Sequence, residues 1–286
     1  TAPVKDPLSQ ARDLTIVGTG SVSEATQMGE FQTQTFVAGP VRDLVLVIGP
    51  FGRMQRNVDG VTLNAYVLTE QADRAVAMLD YAEGQVRNLQ AVVAPYPVAK
   101  LDIVYVPGVF GGMEYPTVAM VGTVSEADFF EFTVAHEVGH QWFYSLIGSD
   151  PVSEPWLDES AASYTEVLYA EAVHGSEAAA RRLRIARDYL AYTDHPSLPI
   201  VRPTDAYTSE GDYGIILYMK GKLFFDALRH KLGDRTFFAF LQNYYAAYRY
   251  GFATSADFQA VAESTCACDL DALFDLWVYR GGTVRP

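Results

Sequence analysis

Apolar and polar positions along the chain change period once, and the change divides it. Up to about residue 70 the apolar positions are short, β-branched or aromatic and punctuated by Gly, Pro, Ser and Asp. Strands are predicted at 14–18, 34–37 and 44–48. Two more, 53–58 and 61–67, flank Asp59-Gly60, a strong short hairpin signal. From 72 to 92 the period becomes helical, with Ala75, Val76, Leu79, Ala82, Val86 and Leu89 on one side. Pro95 and Pro97 break that run. A strand at 101–106 follows, then Gly108, Gly111 and Gly112, then two adjacent strands between Met113 and Val121, the second expected at a sheet edge.

Beyond Ser125 the pattern is almost wholly helical. Ser125 and Asp128 form a candidate capping pair for a helix through residue 140. Pro155 is expected in the first turn of the next, which Gly175 closes. Further helices are predicted at 177–192, with a basic outer face, at 213–232, from Asp234 as cap to 248, and at 255–263 and 270–279. Residues 195–208 hold three prolines and read as loop. Strands first and helices afterwards make an α+β arrangement.

Composition narrows the function classes. With 49% apolar and 20% charged residues among 286, the chain has globular composition. A net charge of −14 argues against nucleic acid and anionic membrane as partners. No apolar run is long enough to form a membrane-spanning segment, and the start, TAPVKDPLSQ, carries no apolar signal region. Cys266 and Cys268, one residue apart, are expected to remain unbridged thiols.

The candidate chemistry lies in 131–166. His136, Glu137 and His140 stand as His-Glu-x-x-His, and Glu159 follows after eighteen residues. Positions four apart share a helix face, so two imidazoles can close on one metal ion. With a carboxylate as third ligand, this donor set is typical of catalytic zinc, which keeps its fourth position for water. Glu137 is turned about 100° from His136, within reach of that water. Glu166, seven residues after Glu159 and on the same face, is either a hydrogen-bond partner for a ligating histidine or a solvated carboxylate. His174, His195 and His230 are expected at the surface without a role.

These motifs resemble the alanyl aminopeptidase and leukotriene hydrolase family, zincins whose third ligand is a glutamate. That family places its glutamate in Trp-Leu-Asn-Glu-Gly; here Trp156-Leu157-Asp158-Glu159-Ser160 stands in its place. The family's Gly-x-Met-Glu-Asn is matched by Gly111-Gly112-Met113-Glu114-Tyr115, and its Tyr-x-Lys-Gly by Tyr218-Met219-Lys220-Gly221. The resemblance implies one zinc ion on His136, His140 and Glu159, with Glu137 as general base. It implies Tyr218 as oxyanion donor, with Tyr213 as the local competitor. Glu114 would anchor a substrate's α-ammonium, with Gly111, Gly112 and Met113 beside it. It implies an aminopeptidase acting on peptides with a free N-terminus; a zinc endopeptidase or a non-catalytic interaction domain are the alternatives. It also implies a thermolysin-like catalytic domain over 61–286, with 1–60 as the remnant or end of an N-terminal β domain, and further domains beyond this chain.

Overall fold

The structure is a computed structural model that describes residues 14–29, 31–68, 71–108, 111–122, 127–207 and 209–282. The initial TAPVKDPLSQ and the Ser125–Asp128 capping pair lie outside what is described. Among the described residues two compact units form, one from those up to Glu83 together with Pro97–Val134, the other from Gly84–Tyr96 together with those from Ala135 onward.

The first unit carries nine of the described strands. β1 (Thr15–Gly18) pairs antiparallel with β4 (Leu46–Gly49), and β2 (Ser21–Met28) pairs with β3 (Phe31–Val37) as a hairpin. β2 escapes sequence reading because all its side chains are exposed, so it has no inward-facing apolar set. A mixed sheet follows in the order β5-β6-β7-β9-β8, built from β5 (Phe51–Val58), β6 (Val61–Leu68), β7 (Lys100–Tyr105), β8 (Gly112–Tyr115) and β9 (Val118–Val121). Asp59 and Gly60 both take positive φ in the β5–β6 turn, as the hairpin signal requires. That hairpin straddles residue 60. Of the two strands after Gly112, the first, β8, takes the edge; β9 is interior because it also pairs parallel with β7. Val17, Tyr66, Val104 and Val118 form a buried cluster lined by Val45, Val47, Phe51 and Met120.

Helix α1 (Ala72–Val92) has the predicted bounds, but its buried face includes Met78, while Val76 is 44% exposed. Helix α2 (Ala127–Gly139) ends one residue before His140, so Trp142 and Phe143 lie in the turn beyond it.

The second unit is built around α3 (Trp156–His174), whose residues from Trp156 to Ala170 are buried except Glu159. Small residues on α3 (Ser160, Ala161, Ala162, Ser163, Thr165) let neighbouring backbones approach. A Cβ on Gly139 would collide with Thr165 Oγ1, and one on Gly221 with the Ser160 side chain. Pro155 sits at the cap position of α3 rather than inside its first turn. Helix α4 spans Ser176–Tyr192.

The predicted 213–232 helix begins earlier, at α5 (Glu210–Gly214), where Ser209 accepts from the Asp212 N–H. It continues through a π turn, Ile215–Lys220, into α6 (Gly221–Leu232). Helix α7 (Asp234–Tyr248) is preceded by Gly233; Asp234 makes no cap hydrogen bond and instead pairs with Arg229 at 2.8 Å. Then come α8 (Ser255–Cys266), α9 (Asp271–Phe274) and a π turn at Asp275–Tyr279, with β10 (Ile147–Gly148) and β11 (Gly251–Phe252) pairing parallel. Trp156, Phe224, Phe225, Phe240, Phe258 and Phe274 interlock through edge-to-face and tilted ring contacts.

Cys266 and Cys268 are joined by a disulfide, contrary to the expectation of idle thiols. Ala267 takes the left-handed conformation at the end of α8, and this folds the chain enough to bring the two sulfurs together. No described helix is long and apolar enough to cross a membrane.

Candidate metal centre

All the groups of this centre belong to the second unit. His136 lies in the last turn of α2, and the His140 N–H still donates to the His136 carbonyl at 3.2 Å, so the i, i+4 geometry holds past the helix end. Glu159 comes from the first turn of α3. Its carboxylate Oε2 lies 3.3 Å from His136 Nε2 and 3.6 Å from His140 Nε2, and the two Nε2 atoms are 3.0 Å apart.

The outer nitrogens decide which way these rings are protonated. His140 Nδ1 faces the Phe143 carbonyl at 3.1 Å, and His136 Nδ1 faces Glu166 Oε1 at 3.1 Å. A carbonyl and an ionised carboxylate can only accept, so both Nδ1 atoms carry hydrogen and donate. Both Nε2 atoms then direct lone pairs at one another and at Glu159. Such a set calls for positive charge at its centre, a metal ion or a proton on one Nε2. A tetrahedron with bonds of ~2.0–2.1 Å has edges of about 3.3 Å, close to all three separations, so the residues present fit zinc. The backbone makes this possible after His140: the Ser145 N–H donates to His140 O, and the tight turn returns Phe143 O to the ring.

Electrostatics show the same demand for positive charge, which a proton on His136 Nε2 facing Glu159 meets when no metal is bound. Burial by itself would lower the His136 pKa, but hydrogen bonds to Glu159 and Glu166 raise it to about 9. Burial would raise Glu159, yet the two histidines hold it well below the carboxylate range. Glu166 is also held far down, against burial, by Lys222, Arg182 and His136.

Glu137 is buried, one of its carboxylate oxygens within 4.8 Å of a His140 ring nitrogen. The Tyr218 ring lies 5.6 Å from that of His136, and its phenol approaches Glu159; burial and that neighbouring charge push its pKa far above the phenol range, so it stays an O–H donor. The π turn widens the helix where Tyr218 projects. Tyr213 packs against Tyr218 at 6.3 Å between ring centres.

Of the residues singled out from sequence, His136, Glu137, His140, Glu159, Glu166, Tyr213 and Tyr218 are brought together. Glu166 is buried and paired, not solvated. Gly111 immediately precedes, and Gly112, Met113 and Glu114 lie on, the edge strand β8 of the first unit, with Glu114 half-buried and Met113 exposed. His174, His195 and His230 are exposed as expected. Sequence reading passed over Arg182 and Lys222. Arg182 lies on the helix expected to present a basic outer face, but it turns inward to Glu166. The available signal was Lys222 itself, a second lysine in an otherwise apolar stretch that had to bury one face.

The model of the peptidase family M1 domain matches residues 73–277. Aminopeptidase M1-B of Oryza sativa is 25% identical over 98% of this chain and 34% of its own length. Human aminopeptidase B is 28% identical over 59% of this chain and 28% of its own length. The chain therefore spans about a third of the length of these curated relatives. An M1 zinc metallopeptidase from Deinococcus radiodurans superposes with a TM-score of 0.74 over 96% of this chain and 62% of that one, at 22% identity, which shows a shared fold. The matched region is well over half of the sequence and contains both histidines, both helices and the π turn of the centre just described, and this chain belongs to the peptidase M1 family.

Proposed function

We propose that the chain is the catalytic part of a zinc aminopeptidase that removes N-terminal residues from peptides. The observation that carries this reading is the meeting of His136, His140 and Glu159 around one point, with both outer ring nitrogens already engaged. These three would hold one zinc ion, which when bound would polarise the scissile carbonyl and acidify adjacent water. Glu137 takes a proton from the attacking water on its carboxylate and returns it to the leaving amine. The Tyr218 O–H donates to the carbonyl oxygen as negative charge develops there. Tyr213 supports the Tyr218 ring. Glu114 accepts the substrate's α-ammonium, while Gly111, Gly112 and Met113 form the strand edge beside the peptide. Its position on an edge strand, half-buried, supports that role.

Residues 61–286 act as the catalytic domain, and residues 1–60 as the end of an N-terminal β domain. Support for the second assignment is the exposed apolar surface on this segment, with Met28, Phe31, Leu44, Leu46 and Ile48 all uncovered, and the greater length of the relatives. Further domains would cover it.

Zinc content and hydrolysis of aminoacyl anilides test the reading. Glu137→Gln is expected to retain zinc and lower kcat by ~10²–10⁴-fold. Unchanged turnover in that variant would overturn the mechanism. Acetylating the N-terminus of a cleaved peptide should abolish cleavage; continued cleavage would indicate an endopeptidase.

A further inference from the structure

Glu166 sits two turns beyond Glu159 on α3, and its two oxygens face different partners. Oε1 accepts from His136 Nδ1 at 3.1 Å. Oε2 accepts both from Lys222 Nζ at 2.9 Å and from Arg182 Nη2. Lys222 comes from α6 and its side chain is only 2% exposed; Arg182 comes from α4 and is 19% exposed. A buried lysine is costly unless it is paired, and one carboxylate would need only one cation to balance it. Here two cations share one oxygen. With Oε2 claimed from two helices, the carboxylate has one orientation left, and Oε1 is presented to the imidazole.

Lys222 also has a place along the chain. It lies four residues after Tyr218 in a helical run that is continuous through the π turn. The same bond that turns Glu166 toward His136 therefore ties down the helix from which Tyr218 projects.

We propose that Lys222 and Arg182 are positioning residues for the metal: they lock the Glu166 carboxylate so that His136 is held with Nε2 toward the ion, and Lys222 keeps Tyr218 in register with that ring. Neither touches the metal or the substrate. The inference rests on the zinc reading above.

Chelator-competition titrations with zinc on the whole chain test it, using wild type, Lys222→Met, Arg182→Met and Arg182→Lys. Lys222→Met and Arg182→Met are expected to bind zinc ten- to a hundredfold more weakly, as loss of outer-sphere support for a ligating histidine does. At saturating zinc, Lys222→Met should lower kcat with little change in KM, and Arg182→Lys should recover most of the affinity that Arg182→Met loses. A purely structural role would lower the melting temperature of the zinc-free protein and leave the zinc affinity of folded molecules as in wild type; that result overturns the inference. If Lys222→Met fails to fold, Arg182→Met decides, since its side chain is partly exposed and its removal strands no cation. Wild type that takes up no zinc would sink the metal reading itself. Wild type that binds zinc no more tightly than both Met variants would sink only this inference.

Discussion

The Ser160 hydroxyl donates to the main-chain carbonyl of Leu217 at 2.8 Å, joining α3 to the π turn one residue before Tyr218. Ser160 follows the candidate ligand Glu159 directly, at the position where the resembling motif carries glycine. Both partners are buried. Ser160→Ala removes the only side-chain donor it offers and leaves the carbonyl under-satisfied. Denaturant unfolding should show a loss of about 1–3 kcal/mol, with zinc stoichiometry unchanged.

The same contact sets how close the two helices lie. A Cβ on Gly221 would run into the Ser160 side chain. Gly221→Ala is therefore expected to destabilise by about 1–3 kcal/mol, as overpacking does. In a Ser160→Gly background, which lacks the obstructing side chain, Gly221→Ala should cost less than half as much. A double-mutant cycle on unfolding free energies measures the coupling, and additive effects would contradict the close approach.

Metal removal should separate site from scaffold. Treatment with a chelator is expected to abolish peptide hydrolysis, and added zinc to restore it. Zinc at ~1,000 times its Kd should raise unfolding free energy by about 4 kcal/mol, read as an upward shift of the melting curve. A melting curve indifferent to zinc would argue that His136, His140 and Glu159 do not bind it in the folded chain.

Lys220 is buried behind the π turn, its ammonium donating to the carbonyls of Pro196 and Leu198 at 2.9 and 2.6 Å, and more weakly to Gly282. Burial lowers its pKa to about 8 from an ordinary value of 10.5. Between those values the unfolded chain holds more of this proton than the folded one, so this group's contribution to stability rises with pH across the window. Lys220→Met leaves the carbonyls without their donor. Its stability deficit relative to wild type should be larger at pH 10 than at pH 7.5, measured by denaturant unfolding at both.

How much of this was legible from sequence depends on the range of the interaction. His136 with His140, and Glu159 with Glu166, follow helical spacing, which gives each pair a shared face before any packing occurs. The hairpin at Asp59-Gly60 and the α1 bounds follow equally local rules. β2 had no such signal, because a strand with both faces exposed carries no alternation. The Cys266–Cys268 bridge turned on the left-handed conformation of one alanine, which its residue type does not announce.

The amino-acid order by itself determined the helical periodicity and the succession of strands then helices, since each depends on neighbours within a turn or two. The donor set was legible through the resemblance of its motifs, because Glu159 meets the histidines across two helices. Only the tertiary structure decided that Arg182 turns inward, that Lys222 meets Glu166 and that Ser160 reaches Leu217. Those contacts join residues 16, 56 and 57 positions apart, and nothing short of packing α3 against α4 and α6 selects them. A buried charge must find its counter-charge wherever the fold puts one, and spacing along the chain carries no record of that choice.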